Sequence, residues 1–492
     1  MNARSQDRNS LSYQHLPGLF YSEVEPSPVS ESRLFALNTD HGQALGLSED
    51  WLRSKDGLAV LSGQRAIGET PALAMAYAGH QFGHWSGMLG DGRARLVADL
   101  ADSEGDLHEF HLKGSGLTPY SRRGDGKATL GSAIREYIVS EAMAALGVPT
   151  TRALSIVATG DKIHRHGLEP TAILCRTARS HIRVGTFQLA LASGEPDNVK
   201  ALADLAIERL YPEAPNAGPE RYIFFFQSVV RRQARLVAKW MGFGFIHGVM
   251  NTDNMCVSGE TIDYGPCAFM DDFHPGKVFS SIDRNGRYAW NRQAEMAHWN
   301  LARLAETLLP LFGETEEAQQ AAAESTLNQF ITLFQGNFNA AMAAKFGLDP
   351  DDELDGFLGE SFKAMTRGEV DFTLFFRNLT RVATGGDADL VINLFIDADP
   401  AQDWFDNWAA ISGYKSGLSN GRIMGMKHSN PVIIPRNHRV EQAIEDANAG
   451  NSETYERLLD AVTKPYLDRP DFIEFETPPE PNEIVHQTFC GT

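Results

Sequence analysis

Cysteine is scarce in this chain, and so are basic residues and long apolar runs. Its four cysteines, Cys175, Cys256, Cys267 and Cys490, stand apart with no C-x-x-C pair. That excludes a zinc knuckle and a disulfide framework. No run approaches the roughly 20 consecutive apolar residues of a membrane-spanning helix. The opening residues, Met1 to Ser10, hold no apolar stretch and are interrupted by Asp7. Neither a secretory leader nor a mitochondrial presequence is expected, so the expected location is the cytoplasm, without a membrane partner. Forty-four lysines and arginines against 64 aspartates and glutamates leave a net charge of −20. With no basic stripe to displace counterions, nucleic acid is not an expected partner. An anionic ligand needs a local cluster of cations instead, because distant surface charge is screened within about 8–10 Å at physiological salt.

What is present is a 492-residue chain, 42% hydrophobic and 22% charged, enough for two or three packed units. Residues 1–75 read as an N-terminal extension wrapping a core. Strand patterns occupy Arg93–Leu100, His108–Lys113, Ala153–Ala158 and Thr171–Cys175. Between them Gly131–Leu146 has helical spacing and ends at Gly147, with Pro149 beyond. Helical patterns then dominate: Glu220–Met241, Arg292–Phe312, Glu316–Phe346, Glu353–Met365 and Val440–Val462. The tail beyond Pro465, rich in proline and glutamate, is expected to pack loosely. The fold class is α+β, a small strand-rich lobe at 76–190 and a helical lobe at 191–345, with a C-terminal helical extension at 346–492.

Four segments carry chemistry. Met88–Ala94 holds Gly90 and Gly92 ahead of a strand, with Arg93 beside them; such glycines let backbone N–H groups approach phosphate, though many G-x-G turns are only turns. Lys113 ends a strand and Glu136 lies in the following helix, the pairing kinases use to orient phosphates; two unrelated surface residues would give the same letters. The third segment is the most specific. Phe245-Ile-His-Gly-Val-Met-Asn-Thr-Asp-Asn-Met255 precedes Thr261-Ile-Asp-Tyr-Gly-Pro266, the order of a kinase catalytic loop and metal-binding turn. His247, Asn254 and Asp263 fill their slots, and oxygen donors from Asn254 and Asp263 suit magnesium. The slot of the catalytic aspartate holds Val249, and the nearest carboxylate is Asp253. Nucleotide and metal apparatus with altered chemistry is the reading. The fourth segment, Cys175–Gly185, places Arg176, Arg179 and Arg183 within eight residues, either phosphate forks or a surface ion-pair cluster.

These segments, with Ala78-Gly-His-Gln-Phe-Gly83, Leu112–Gly126, Trp299-Asn-Leu301, Asn430-Pro431 and Arg436-Asn437, resemble the selenoprotein O (SelO/YdiU) family from about Leu16 to Cys490. The resemblance implies a protein-kinase-like bilobal fold that lacks the usual catalytic aspartate and transfers AMP from ATP to Ser, Thr or Tyr hydroxyls of proteins. It implies ATP held by Gly90, Gly92, Arg93, Lys113, Asp125, Gly126, Arg176 and Arg183, and Glu136 bracing Lys113. It implies Mg2+ or Mn2+ on Asn254 and Asp263, with Asp253 as proton acceptor. UMP transfer, phosphoryl transfer and a nucleotide-binding scaffold are the competing readings, and a monomer is expected. Cys490 fills the terminal cysteine slot of the family, but Gln487 rules out a C-x-x-C pair there, which leaves Cys267 as a redox partner to consider. His80 and His84 have zinc-ligand spacing without a third ligand and are read as packing residues. Asp271-Asp272 is read as a helix cap, and Trp290, Trp299 and Trp404 as core.

Overall fold

Alternation along the strands sorts the N-terminal half into two packed faces. In the computed structural model, residues 11–65, 71–165, 167–350 and 354–488 are described. The main sheet is built from β1 (Tyr21–Val24), β2 (Arg33–Leu37), β3 (Ala72–Met75), β6 (Ala94–Ala101), β7 (Leu107–Lys113), β8 (Ala128–Thr129), β9 (Arg152–His164) and β10 (Leu168–Ala178). A separate hairpin, β4 (Gly79–Gln81) and β5 (His84–Ser86), and a two-strand pair, β11 (Phe245–Ile246) and β12 (Ala268–Phe269), lie outside it. The order of the main sheet is β1-β3-β6-β7-β10-β9-β2, with β8 against β10 and the pairing antiparallel. The N-terminal extension therefore contributes both outer strands, β1 at one edge and β2 at the other.

One face packs Phe110, Leu112, Ile173 and Cys175 against Leu52 and Leu61 of the short helices that follow β2. The other packs Leu174 and Ile156 against Ile134 and Ile138 of the helix Leu130–Ala145. Because strand side chains alternate, His111, Lys113 and Arg176 fall on this second face. Register makes Leu174 the neighbour of Lys113 and Arg176 the neighbour of His111. The helix opposite is capped by Thr129, whose hydroxyl accepts from Ser132 N at 3.1 Å, and it ends before Gly147 at φ +73°. It carries Glu136 toward the lysine and arginine.

Beyond β10 the chain is helical. The helices Pro219–Gly242, Gln293–Leu308 and Glu316–Phe346 form the centre of a large apolar core around Phe226, Trp240, Leu304 and Phe330. The expected helix 440–462 is two helices, Asn437–Asn448 and Glu453–Val462, broken at Gly450, whose φ of +95° no helix accommodates. Both pack on Leu130–Ala145 through Val440, Ala443, Tyr455 and Leu458. The tail departs from the expected looseness: Phe472 and Phe475 are buried, and Thr488 N donates to Phe279 O at 2.9 Å. Trp290 and Trp404 are core, but Trp299 is half-buried between Arg287 and Arg303, 4.9 and 5.1 Å from its ring. Asp271 caps no helix; it pairs with the buried Arg436, which also holds Asp371 at 2.8 Å. Among the described residues no helix is long and apolar enough to cross a membrane.

The buried Lys345 has no carboxylate partner among the described residues. Lys345, 4% exposed, donates to Ser429 O at 3.1 Å and points at the Phe376 ring, 4.3 Å from its centroid. Burial pushes its amine down to about 7. A base with a lowered folded pKa favours the fold only when neutral, so its penalty is full below about pH 7 and fades as pH rises toward the unfolded value. Lys345→Met is therefore expected to stabilise the protein by about 1–4 kcal/mol at pH 7. The gain should shrink toward pH 10 in urea unfolding, and a gain that grows with pH would contradict this assignment.

Candidate functional site

Lys113, Glu136, Arg176, Arg183 and Asp263 meet in one ion cluster. Lys113 Nζ lies 2.5 Å from Glu136 Oε2 and 2.8 Å from Asp263 Oδ1. Arg176 Nη1 is 2.8 Å from Glu136 Oε1 and 2.8 Å from Asp263 Oδ1. Arg183 Nη1 reaches Asp263 Oδ2 at 3.4 Å and donates to the backbone carbonyl of Asp253 at 2.9 Å. Burial alone would raise the Asp263 carboxyl, but Lys113, Arg176 and Arg183 hold it well below the usual carboxylate range. The same opposition leaves Glu136 lowered, with Lys113 and Arg176 outweighing its burial.

Backbone geometry aims Asp263 into this cluster. Its φ is +64°, a left-handed conformation that costs a non-glycine residue about 1–2 kcal/mol. The preceding residues are tied on both sides. Thr261 N donates to Pro149 O at 3.0 Å, Thr151 N to Thr261 O at 3.0 Å, and His247 Nε2 to Ile262 O at 2.8 Å. His247 is fully buried and its pKa is lowered by that burial, so it acts here as a neutral brace.

A second carboxylate steadies the arginines. Asp91 sits between Gly90 and Gly92 and is 3% exposed. It receives Tyr77 Oη at 3.2 Å and His111 Nε2 at 2.8 Å, and lies 3.5 Å from Arg183 Nη2. Burial would raise its pKa, yet His111, Arg183 and Arg176 hold it at about 2. Burial keeps His111 neutral, so its Nδ1 accepts from Arg176 Nε at 3.2 Å while Nε2 serves Asp91. His111 in turn stacks on His181 at 4.6 Å, whose Nδ1 is 2.8 Å from Glu109. Asp91 and His111 carry no motif signal, because a lone Asp in a glycine turn and an alternating strand His are common. Only the cross-strand register to Arg176 could have found His111.

The remaining expected residues are placed as follows. Gly90 has φ +79°, and a Cβ there would meet the Tyr120 ring at 2.4 Å; one on Gly92 would meet Tyr120 O at 2.8 Å. The glycine turn is thus overlaid by the Thr118–Ser121 segment. Gly126, at φ +72°, packs on Gly116, leaving no room for a side chain. Asp125 is not brought to the ion cluster; it pairs with Arg165 at 2.9 Å, which lowers its pKa. A cavity of about 760 Å³ is lined by Arg93, Lys113, Glu136 and Asp263, and by tail residues such as Val485 and Thr488. Asp253 and Asn254 are not among its lining.

Asp253 lies on the short Thr252–Asn254 turn, 8% exposed. Burial pushes its carboxyl up to about 6 against the pull of Arg183. Its Oδ1 has no hydrogen-bond partner among the described residues. Asn254 donates through Nδ2 to Val249 O at 3.1 Å, which leaves its oxygen as the acceptor end. No group of three His, Cys, Asp or Glu side chains suited to a metal occurs among the described residues. An amide oxygen and a carboxylate do fit a Mg2+ or Mn2+ ion that draws its other ligands from phosphate and water. Zinc ligation is not supported, since His80 Nδ1 faces Gln188 Nε2 at 2.8 Å and His84 is exposed. Cys267 is buried and Arg179 pairs outside the cluster with Asp106 at 3.4 Å; Cys490 lies outside the described residues.

A family model described as protein adenylyltransferase SelO matches residues 7–463. Over 486 residues the chain is 49% identical to a protein named protein nucleotidyltransferase YdiU from Rhodopseudomonas palustris (strain BisB18), covering 98% of each. A namesake from Rhizobium etli is 47% identical over 484 residues, 98% of this chain and 96% of the relative.

Removing Asp91 strands the buried Arg183 guanidinium and leaves the His111 Nε2–H without its acceptor. Asp91→Ala is expected to cost about 3–5 kcal/mol in chemical unfolding. An unchanged midpoint would mean that Asp91 does not hold Arg183 and His111 in the folded protein.

Proposed function

Because the chain belongs to the protein adenylyltransferase SelO family, and is an enzyme of the nucleotidyltransferase class, we propose that it transfers AMP from ATP to Ser, Thr or Tyr hydroxyls of proteins. The observation that carries this reading is the position of its carboxylates. Val249, 8% exposed, stands where a kinase places its base, while Asp253, whose backbone carbonyl takes Arg183, offers a buried Oδ1 without a hydrogen-bond partner among the described residues. The fold is then protein-kinase-like, with lobes at 76–190 and 191–345 closing on the nucleotide.

In this reading the acceptor oxygen attacks the α-phosphorus. The new O–P bond forms as the bond from that phosphorus to the bridging oxygen breaks, and pyrophosphate leaves with the electron pair. The hydroxyl proton passes to Asp253. Negative charge grows on the leaving group, and Lys113, Arg176 and Arg183 are the cations placed to meet it. In the same reading Gly90, Gly92, Arg93, Asp125 and Gly126 help to hold ATP, and Glu136 keeps Lys113 oriented. Asn254 and Asp263 would hold a divalent cation, which when bound supplies charge neutralisation across the phosphate oxygens.

The cluster supports a specific role for that cation. As folded, three cations face the carboxylates of Glu136, Asp263 and Asp91, so local charge is balanced rather than positive. Were Asp263 to hold a divalent cation, Lys113, Arg176 and Arg183 would lose one shared carboxylate partner and be freer to meet phosphate.

Incubation with α-labelled and γ-labelled ATP tests the reaction. Label from the α position is expected on protein, and label from the γ position alone would overturn AMP transfer in favour of phosphorylation. Asp263→Ala is expected to lower metal-dependent transfer by about 10²–10³-fold; parent-like rates with Mg2+ would remove Asp263 from the metal assignment.

A further inference from the structure

The run Ala78-Gly-His-Gln-Phe-Gly83 has no part in the chemistry above, yet it grips the loop that carries Asp253. Three successive hairpin residues hold three successive loop residues. His80 N donates to Thr252 Oγ1 at 2.7 Å, Gln81 Nε2 to Asp253 Oδ2 at 3.4 Å, and Phe82 N to Asn251 Oδ1 at 2.8 Å. The same Asn251 oxygen receives Tyr288 Oη at 2.8 Å, and the Phe82 and Tyr288 rings lie 5.1 Å apart.

The approach is close on both sides. A Cβ at Gly79 would come within 2.9 Å of Thr252 Oγ1 and 3.2 Å of Asp253 Oδ1, so only glycine lets the strand lie there. Phe82 is held at φ +51°, a conformation an aromatic residue adopts only when its surroundings impose it. From the opposite side Gln188 Nε2 meets His80 Nδ1 at 2.8 Å. The hairpin is therefore fixed to the helical region as well as to the loop.

The consequence falls on the two oxygens of Asp253. Oδ2 is engaged by the Gln81 amide, while Oδ1 is buried without a partner among the described residues. We propose that Gln81 is a positioning residue for AMP transfer: its amide donates to Oδ2, fixes the carboxylate plane, and leaves Oδ1 to take the acceptor's hydroxyl proton. This rests on Asp253 being the proton acceptor. A filler of the same size would meet a purely structural need, whereas this role requires a donor.

The test separates donor from size. Transfer of α-labelled AMP is measured onto the full chain itself and onto casein as a generic hydroxyl-bearing acceptor, with KM for ATP and the thermal midpoint read alongside. Gln81→Met keeps length without a donor and should lower kcat about tenfold, the worth of one such hydrogen bond, with KM for ATP and the midpoint unchanged. Gln81→Glu keeps shape but presents a second carboxylate and should be at least as slow. Parent-like kcat in either variant overturns the proposal, as does a loss appearing in KM for ATP rather than in kcat. Asp253→Ala is assayed in parallel. If it retains transfer, the Asp253 reading itself falls; if it is inactive while Gln81→Met is parent-like, only the assignment of Gln81 falls.

Discussion

Asp263 shared among Lys113, Arg176 and Arg183 is the interaction on which the rest of the site depends. Those cations come from β7, from β10 and from the segment just after it, while Asp263 comes from the loop beyond the Pro219–Gly242 helix. One carboxylate therefore joins the strand-rich region to the helical region. Bringing so many charges out of water is costly unless each is paired. Glu136 and Asp91 complete that pairing, and His111 ties one arginine to the carboxylate of the other. The left-handed φ at Asp263 is tolerated because this network and the His247 brace fix it from several directions.

That balance explains how a protein with a net charge of −20 can accept an anionic nucleotide. Positive charge is kept within contact distance and is stored against internal carboxylates. Such a site offers little field to a stray anion in its folded resting arrangement. In the proposed reaction, a divalent cation held by Asp263 would leave these cations freer to meet phosphate. The charges that matter are buried, so screening by salt weakens them far less than surface pairs.

Much of this was legible in the chain, for identifiable reasons. The helix 316–346 and the helix carrying Glu136 announced themselves through apolar spacing and through glycine stops. The meeting of Lys113, Glu136 and Asp263 was readable because a chemical order of residue types runs along the sequence. Long-range register was not readable. That β1 and β2 close opposite edges of one sheet follows from pairings distant in the chain, Tyr21 with Met75 and Leu34 with Val157. Asp91, His111 and Gln81 escaped for the same reason, since their partners are distant and their types are ordinary. The tail misled because proline and glutamate content says nothing of the few contacts, such as Thr488 Oγ1 on Pro266 O at 2.6 Å, that hold it down.

The proposed role of Asp253 in place of position 249 is consistent with how the loop is packed. Val249 is buried, its N–H turned to His247 Nδ1 at 3.4 Å and its carbonyl taken by Asn254. A carboxylate there would have to take the place of a buried apolar side chain, which costs free energy unless it is paired. At Asp253 the surroundings are prepared: Arg183 is anchored on its own backbone carbonyl, Gly79 leaves space beside Oδ1, and Gln81 engages Oδ2. A carboxylate at Asp253, four residues further along the loop, stands against a wall built by the β4–β5 hairpin. In the proposed reading the hairpin, through Gly79 and Gln81, is what fits this loop to a carboxylate at Asp253.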